Sequence, residues 1–305
     1  MRSRILLFLF ACITTSYLKA GDSIPDVSAE ELSAHVSFLA SDKLKGRAAG
    51  TQENIIAAGY IAAQFALYHL QPLPSGNYYD TIPQFSGDLY PSCNVIGVLP
   101  GKSRPEEHLL ISAHFDHVPE KNGQVYNGAN DNASGVAAML ALLRCFAEQG
   151  GAERTIVFCA FNMEERGLVG STHFADVSYA EKRVAVINLE MLGIPQKRKA
   201  QFFMTGTRFS DLAALLRKGL AGTGVSLAKE KGDLFMRSDN YPFYLQGTPA
   251  HTLMAATDFS RCYHRPCDDI GNLDLKNMAL IVNAIFKAFR PLAAGTETPV
   301  LTKKN

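Results

Sequence analysis

Apolar positions along the chain repeat with two periods. Ser28-Ala29-Glu30-Glu31 stands ahead of Leu32, Val36 and Leu39, a capping box followed by apolar residues at helical spacing, so a helix is predicted to start here. A second helix is predicted over 52–70, with Ile56, Tyr60, Ala63 and Leu67 on one face. Residues 71–92, rich in Pro, Gly, Ser and Tyr, predict a loop with one edge strand. Beyond them, apolar runs of strand length at 94–99, 109–113, 155–161, 184–189, 202–204 and 250–255 alternate with helical patterns. Those patterns cover 134–148, 209–220 and 275–288, with a short helix starting near 171. Runs without polar alternation mark strands buried on both faces. Their alternation with helices predicts an α/β fold, a three-layer αβα sandwich with a mostly parallel, mixed central sheet. No repeat or linker divides the chain, so residues 21–305 are expected to form one domain, with a frayed tail at 301–305.

The first twenty residues follow neither pattern. Arg2 and Arg4 lead into a short apolar run at 5–10, then polar residues at 14–16 and Leu18-Lys19-Ala20 before Gly21. A basic start, a short apolar centre and a small-residue exit predict a signal peptide over 1–20. The run is far shorter than the roughly 20 residues that span a bilayer. Export to the periplasm or the medium is therefore expected, with a lipid anchor through Cys12 as the second reading. No later stretch is long and apolar enough to cross a membrane.

Composition narrows the function classes. The 305 residues carry 30 Lys+Arg against 29 Asp+Glu, a net charge of +1, and 47% are hydrophobic. That excludes a disordered chain, and the lack of a basic excess argues against a nucleic-acid partner. Six cysteines are too few for a disulfide scaffold. Cys93, Cys145 and Cys159 read as buried thiols. Cys262 and Cys267 flank Tyr263-His264-Arg265-Pro266 in a loop and are a candidate disulfide in an exported protein.

Ligands of open α/β sheets bind beyond the carboxyl ends of the strands. The run 109–113 ends in His114-Phe115-Asp116, 155–161 ends in Asn162-Met163-Glu164-Glu165, and 184–189 ends in Glu190. Between the first two, Asn130-Asp131-Asn132 stands directly before a helix, and His264 follows the last strand. Converging carboxylates repel one another unless cations neutralise them. Imidazole with carboxylate, without paired thiolates, suits zinc or a similar divalent ion. Singly, each element has an ordinary alternative: a turn, a helix cap or a surface carboxylate.

Jointly these segments resemble the co-catalytic di-zinc aminopeptidase family, which includes secreted bacterial leucyl aminopeptidases. The resemblance runs over roughly 30–290. It is carried by Leu44-Lys45-Gly46-Arg47-Ala48-Ala49-Gly50, Asn94-Val95-Ile96-Gly97, His114-Phe115-Asp116-His117 and Asn127-Gly128-Ala129-Asn130-Asp131-Asn132-Ala133-Ser134-Gly135. It continues through Glu164-Glu165-Arg166-Gly167, Asn188-Leu189-Glu190, Ser238-Asp239-Asn240 and Tyr263-His264-Arg265-Pro266. It implies a zinc-dependent exopeptidase fold and two divalent ions per chain, most naturally zinc. Asp131 would bridge them, His264 and Glu165 would complete one site, and His114 and Glu190 the other. Glu164 would be the general base and Asp116 would orient His114; the Asp131–Asn132 peptide bond would be cis. The implied activity is hydrolysis of the first peptide bond of peptides with a free N-terminus. Arg47 lies in a matched segment, and the sequence assigns it no role.

Two positions depart from the family. Glu190 stands where Asp is usual, and Arg265 where Thr is usual. The longer Glu190 keeps open a single-zinc glutaminyl-peptide cyclase, a related reaction. Related carboxypeptidases and deacylases insert a dimerisation domain of about a hundred residues; the 74 positions from Glu190 to His264 (264 − 190) leave too little room. A non-catalytic copy would have lost a ligand or the base, and none is lost.

Overall fold

In the computed structural model the described residues are 25–302, apart from 84, 86, 178–181, 196–197, 231 and 258–259. The expected signal peptide, Cys12 and residues 303–305 lie outside the described residues. The helices are α1 (Ala29–Leu39), α2 (Gln52–Leu67), α3 (Gly135–Glu148), α4 (Val169–Val177), α5 (Leu212–Gly219), α6 (Tyr241–Leu245) and α7 (Leu275–Ala293). The strands are β1 (Tyr79–Thr81), β2 (Cys93–Leu99), β3 (Arg104–His114), β4 (Arg154–Phe161), β5 (Lys182–Glu190), β6 (Gln201–Met204), β7 (Ser226–Ala228) and β8 (Ala250–Met254). They form a single sheet in the order β1-β2-β4-β3-β5-β8-β6-β7. The central pairs β4·β3, β3·β5 and β5·β8 are parallel, while β1·β2, β2·β4 and β6·β8 are antiparallel. The mixed, helix-covered sheet is the one the apolar pattern predicts.

Successive side chains of a strand point to opposite faces, so each central strand feeds two cores. Leu109, Ile111, Ile156, Phe158, Ala185 and Ile187 pack under α1, α2, α3, α5 and α7. Leu110, Val157, Cys159, Phe161 and Val186 pack with Phe174 of α4 and Phe243 of α6. This double burial is why the strands read as unbroken apolar runs. Cys145 and Cys159 are buried free thiols; Cys93 is also free and part-buried at the start of β2.

Several elements differ from expectation. Ser28 caps α1 as read, its hydroxyl accepting from Glu31 N. The face of α2 is rotated, however: Ile56 is 46% and Leu67 61% exposed, while Ala57, Ala58, Ile61, Ala62 and Phe65 are buried. Small alanines let this face approach the sheet more closely than the bulkier one. Phe65 then fills the space over Gly97, where a Cβ would stand 2.6 Å from its ring. Strand β7 and the short α6 escape the pattern because each has five residues or fewer, below one clear hydrophobic period. The tail is tied down further than expected: Leu301 pairs with Ser210, and Thr302 N donates to Phe209 O. None of the helices among the described residues is long and apolar enough to cross a membrane.

Strands β3, β4 and β5 are pinned together at their starting ends by one carboxylate. Glu107 accepts from buried Arg154 at 2.6 Å, from Lys182 at 2.7 Å and from Arg104 at 3.3 Å. The hydrogen bonds from Lys182 and Arg154 pull its pKa down to about 2. A depressed carboxylate contributes stability that is complete above its unfolded value near 4.5 and is lost as pH falls towards about 2. Glu107→Gln is expected to destabilise the protein at pH 7 by about 3 kcal/mol, because Arg154 is left buried without its counter-ion. The deficit relative to wild type should shrink between pH 4.5 and 2 in urea unfolding; a constant deficit would show that Glu107 is not the titrating pin.

Candidate metal centre

The parallel register sets the site. Ser112 of β3 pairs with Asn188 of β5, and His114 pairs with Phe161 of β4, so His114, Glu190 and the start of the post-β4 turn share one edge. The chain then turns sharply. Met163, Met191 and His264 adopt left-handed backbone at φ 59°, 48° and 51°, each beside or at a candidate donor. For side-chain-bearing residues this costs roughly 1–2 kcal/mol apiece, a cost that clusters where geometry serves a site.

Asp131 sits at the centre. Its Oδ1 is 3.4 Å from His114 Nε2, and its Oδ2 is 3.1 Å from His264 Nε2. Glu165 Oε1 lies 3.1 Å from His264 Nε2 and 3.0 Å from His117 Nδ1. Two donor sets result: His117, Asp131, Glu165 and His264, and beside them His114, Glu164 and Glu190. Within each set every residue offers a donor atom within 4.8 Å of the others. The sequence-predicted donors His114, Asp131, Glu165, Glu190 and His264 are thus brought together, with Glu164 among them.

Asp116 holds the pieces in a way the sequence does not disclose. Its carboxylate accepts from Glu164 N at 3.1 Å and Glu165 N at 3.3 Å. His114 Nδ1 lies 3.2 Å from the Asp116 backbone carbonyl and 3.7 Å from its carboxylate. The nearer partner of the ring is the main chain, and the carboxylate orients the Glu164–Glu165 turn. Glu190 accepts from the Ser238 hydroxyl and, at 3.5 Å, from Asn188 Nδ2.

The charges are crowded and buried. Desolvation pushes Glu164 well above the carboxylate range, with Glu190, Asp239 and Glu165 adding repulsion against the attraction of His114. Desolvation, joined by the charges of Asp131 and Asp239, raises Glu190 to about 7. Burial works against a charged His264, yet Asp131 and Glu165 outweigh it and raise the ring to about 10. Carboxylates this crowded and buried repel one another, and a divalent cation among them would relieve the repulsion. The donor chemistry, oxygen and imidazole without thiolate, fits zinc.

The loop carrying Asp131 is fixed from every side. The peptide bond Asp131–Asn132 is cis. Asp268 accepts from Asn130 N at 2.8 Å and Asp131 N at 3.0 Å. Asn132 donates to Leu189 O, and its Oδ1 accepts from Gly135 N and Met191 N. Gly128 at φ 57° admits no side chain, since a Cβ would stand 2.3 Å from Asp131 O and 2.5 Å from the His117 ring. Cys262 and Cys267 are joined as a disulfide around His264, whose ring stacks on Tyr263 at 3.9 Å. Arg265 is exposed.

Arg47, silent in the sequence, is buried beneath this loop. Its guanidinium donates to Phe115 O at 2.7 Å, Leu39 O at 3.0 Å, Asn127 O at 2.6 Å and Gly128 O at 2.7 Å, with Asp131 O at 3.4 Å. Its pKa is lowered to about 10 by burial, so it stays cationic at neutral pH below the acidic donors. Arg47, Asp268 and His117 are the residues of the candidate site that sequence reasoning misses. The only available signal was that Arg47 and His117 fall inside matched segments. Arg47→Leu is expected to lower the unfolding free energy by at least about 4 kcal/mol, because several buried carbonyls lose a charged donor together. Arg47→Lys should recover little of it, lacking the fork. Denaturant melts of both variants check this; Arg47→Lys within about 1 kcal/mol of wild type would show that charge alone suffices.

The chain has relatives among known proteins. The chain is 27% identical over 315 aligned positions to leupeptin-inactivating enzyme 1 of Streptomyces exfoliatus, covering 95% of this chain and 67% of that protein. The solved zinc aminopeptidase BSAP of Bacillus subtilis superimposes with a TM-score of 0.72 at 17% identity, over 90% of this chain and 97% of that one. A glutaminyl cyclase of Bacteroides thetaiotaomicron superimposes with a TM-score of 0.70 at 19% identity, over 87% and 98%. At those identities both likenesses concern the fold. Residues 94–289 match Peptidase family M28, a span that holds every donor from His114 to His264; the chain belongs to peptidase family M28.

Proposed function

We propose that the protein is a zinc-dependent aminopeptidase that removes N-terminal residues from peptides. The observation that carries this reading is the pair of adjacent donor sets, with Asp131 presenting one oxygen to His114 and the other to His264. Asp131 would bridge two ions, with Glu165 and His264 on one side and His114 and Glu190 on the other. Zinc bound there would supply Lewis acidity to a scissile carbonyl and acidify solvent water.

The chain's own residues do the rest. Glu164 is held by its backbone N–H on Asp116, so its carboxyl is aimed while remaining free of the main chain. Burial raises its proton affinity, as suits a general base that must take a proton from water and return it to the leaving amine. Buried Glu190 and Asp239 add negative charge beside Glu164. Recognition of the free α-amine by a bound ion or an acidic side chain would restrict attack to the first peptide bond of a chain. The leupeptin-inactivating relative and the BSAP neighbour support a peptidase reading. The same reading extends to export: residues 1–20 have the pattern of a leader, and a disulfide suits an oxidising compartment.

One observation favours a second reading. Glu190, long and bound by Ser238 and Asn188, sits where the family has Asp, and a weakened second ion would leave the one-zinc chemistry of a glutaminyl cyclase. A panel of aminoacyl amides incubated with the purified, zinc-loaded protein separates the two. Release of the first residue that stops with a chelator and returns with zinc is the expected result. Cyclisation of an N-terminal glutamine without release from any amide would establish the second reading. Glu164→Gln is expected to lower kcat by about 10²–10⁴-fold with the fold intact on circular dichroism; undiminished turnover would remove Glu164 from the base role.

A further inference from the structure

His117 is absent from the donor set that the family resemblance implies, yet its side chain is fully buried against that set. It follows His114 by three residues and reaches the opposite side of Asp131. Its Nδ1 lies 3.0 Å from Glu165 Oε1 and 3.9 Å from Asp131 Oδ2, the two oxygens that His264 Nε2 meets at 3.1 Å each. The two rings stand edge to face, centroids 5.4 Å apart, so their nitrogens converge without stacking. Four donors held tetrahedrally by zinc at about 2.0–2.2 Å stand about 3.3–3.6 Å from one another. The observed separations of 3.0, 3.1, 3.1 and 3.9 Å bracket that edge.

The far nitrogen gives the ring no second anchor. His117 Nε2 is buried with no hydrogen-bond partner among the described residues. The ring is therefore held through Nδ1 alone, by the oxygens of the donor set.

We infer that His117 Nδ1 is a fourth protein donor to the zinc ion held by Asp131, Glu165 and His264. That set then has four protein donors, while His114, Asp131 and Glu190 offer three. The two ions differ in retention: the four-donor set keeps its ion when the three-donor set has exchanged. The inference rests on the zinc reading proposed above and concerns a residue that reading does not use.

Zinc per chain, measured by mass spectrometry during graded chelation, tests it. Wild type, His117→Ala and His117→Asn are compared. An asparagine amide reaches the place of Nδ1 and keeps the hydrogen bond to Glu165, but does not ligate zinc as imidazole does. Wild type is expected to retain one ion after the other has left. Both variants are expected to release it with a dissociation constant raised beyond the 10–100-fold that loss of an outer hydrogen bond causes. His117→Asn retaining zinc like wild type would overturn the inference in favour of simple positioning. X-ray absorption at the zinc edge needs no variant: three imidazoles shared by two ions support the fourth donor, and two overturn it. A wild-type protein that binds no zinc would remove the zinc reading itself, a distinct result.

Discussion

The guanidinium of Arg47 is the constraint on which the arrangement depends. Four backbone carbonyls, from the end of α1, the turn after β3 and the loop before α3, converge on one planar cation. Main-chain carbonyls gathered at one buried point would otherwise lack donors. Bringing them together fixes the height of Phe115 relative to Gly128, and so of His114 relative to Asp131. The cation also lies under the acidic donors, where Asp131, Asp268, Asp116 and Glu165 all act on it. One side chain thus supplies geometry and background charge.

Above it, the sheet and the loops divide the work. Parallel strands β3, β4 and β5 end at one level and deliver His114, the Glu164–Glu165 turn and Glu190. The loops deliver Asp131 and His264, and Asp268 ties those two loops together, since its carboxylate accepts from the Asp131 loop while it follows His264 by four residues. At the other end of the same strands Glu107 gathers Arg154, Lys182 and Arg104. The three strands are fastened at both ends by charge, with the apolar core between.

Much of this was legible in the residues. Double burial wrote the central strands as unbroken apolar runs, and the strand ends marked the donors because ionisable residues interrupt those runs abruptly. The face of α2 was not legible: periodicity finds an apolar stripe but not which of two stripes meets the sheet, and small alanines decided it through distance. Nor was Arg47, since an arginine in a glycine-containing turn looks like any surface cation until its carbonyl partners are assembled from three segments. His117 was hidden by its neighbour; in the string His114-Phe115-Asp116-His117 the resemblance claims the first and third residues and passes over the last. Asp116 faces the His114 ring at 3.7 Å, as the resemblance implies, and its carboxylate also accepts from the backbone of the turn after β4, which the sequence does not disclose.

The Cys262–Cys267 bond acts on a different scale from most cross-links. Closing so short a ring contributes about 2 kcal/mol in the chain-entropy picture, and little of that bears on whether the sandwich exists. It falls on a six-residue segment whose middle holds His264, in left-handed backbone and stacked on Tyr263. The cross-link therefore stiffens the address of one imidazole. In a thiol-rich surrounding the sheet, the strand-end donors and Arg47 would keep their places, while the last donor would be offered from a slack loop.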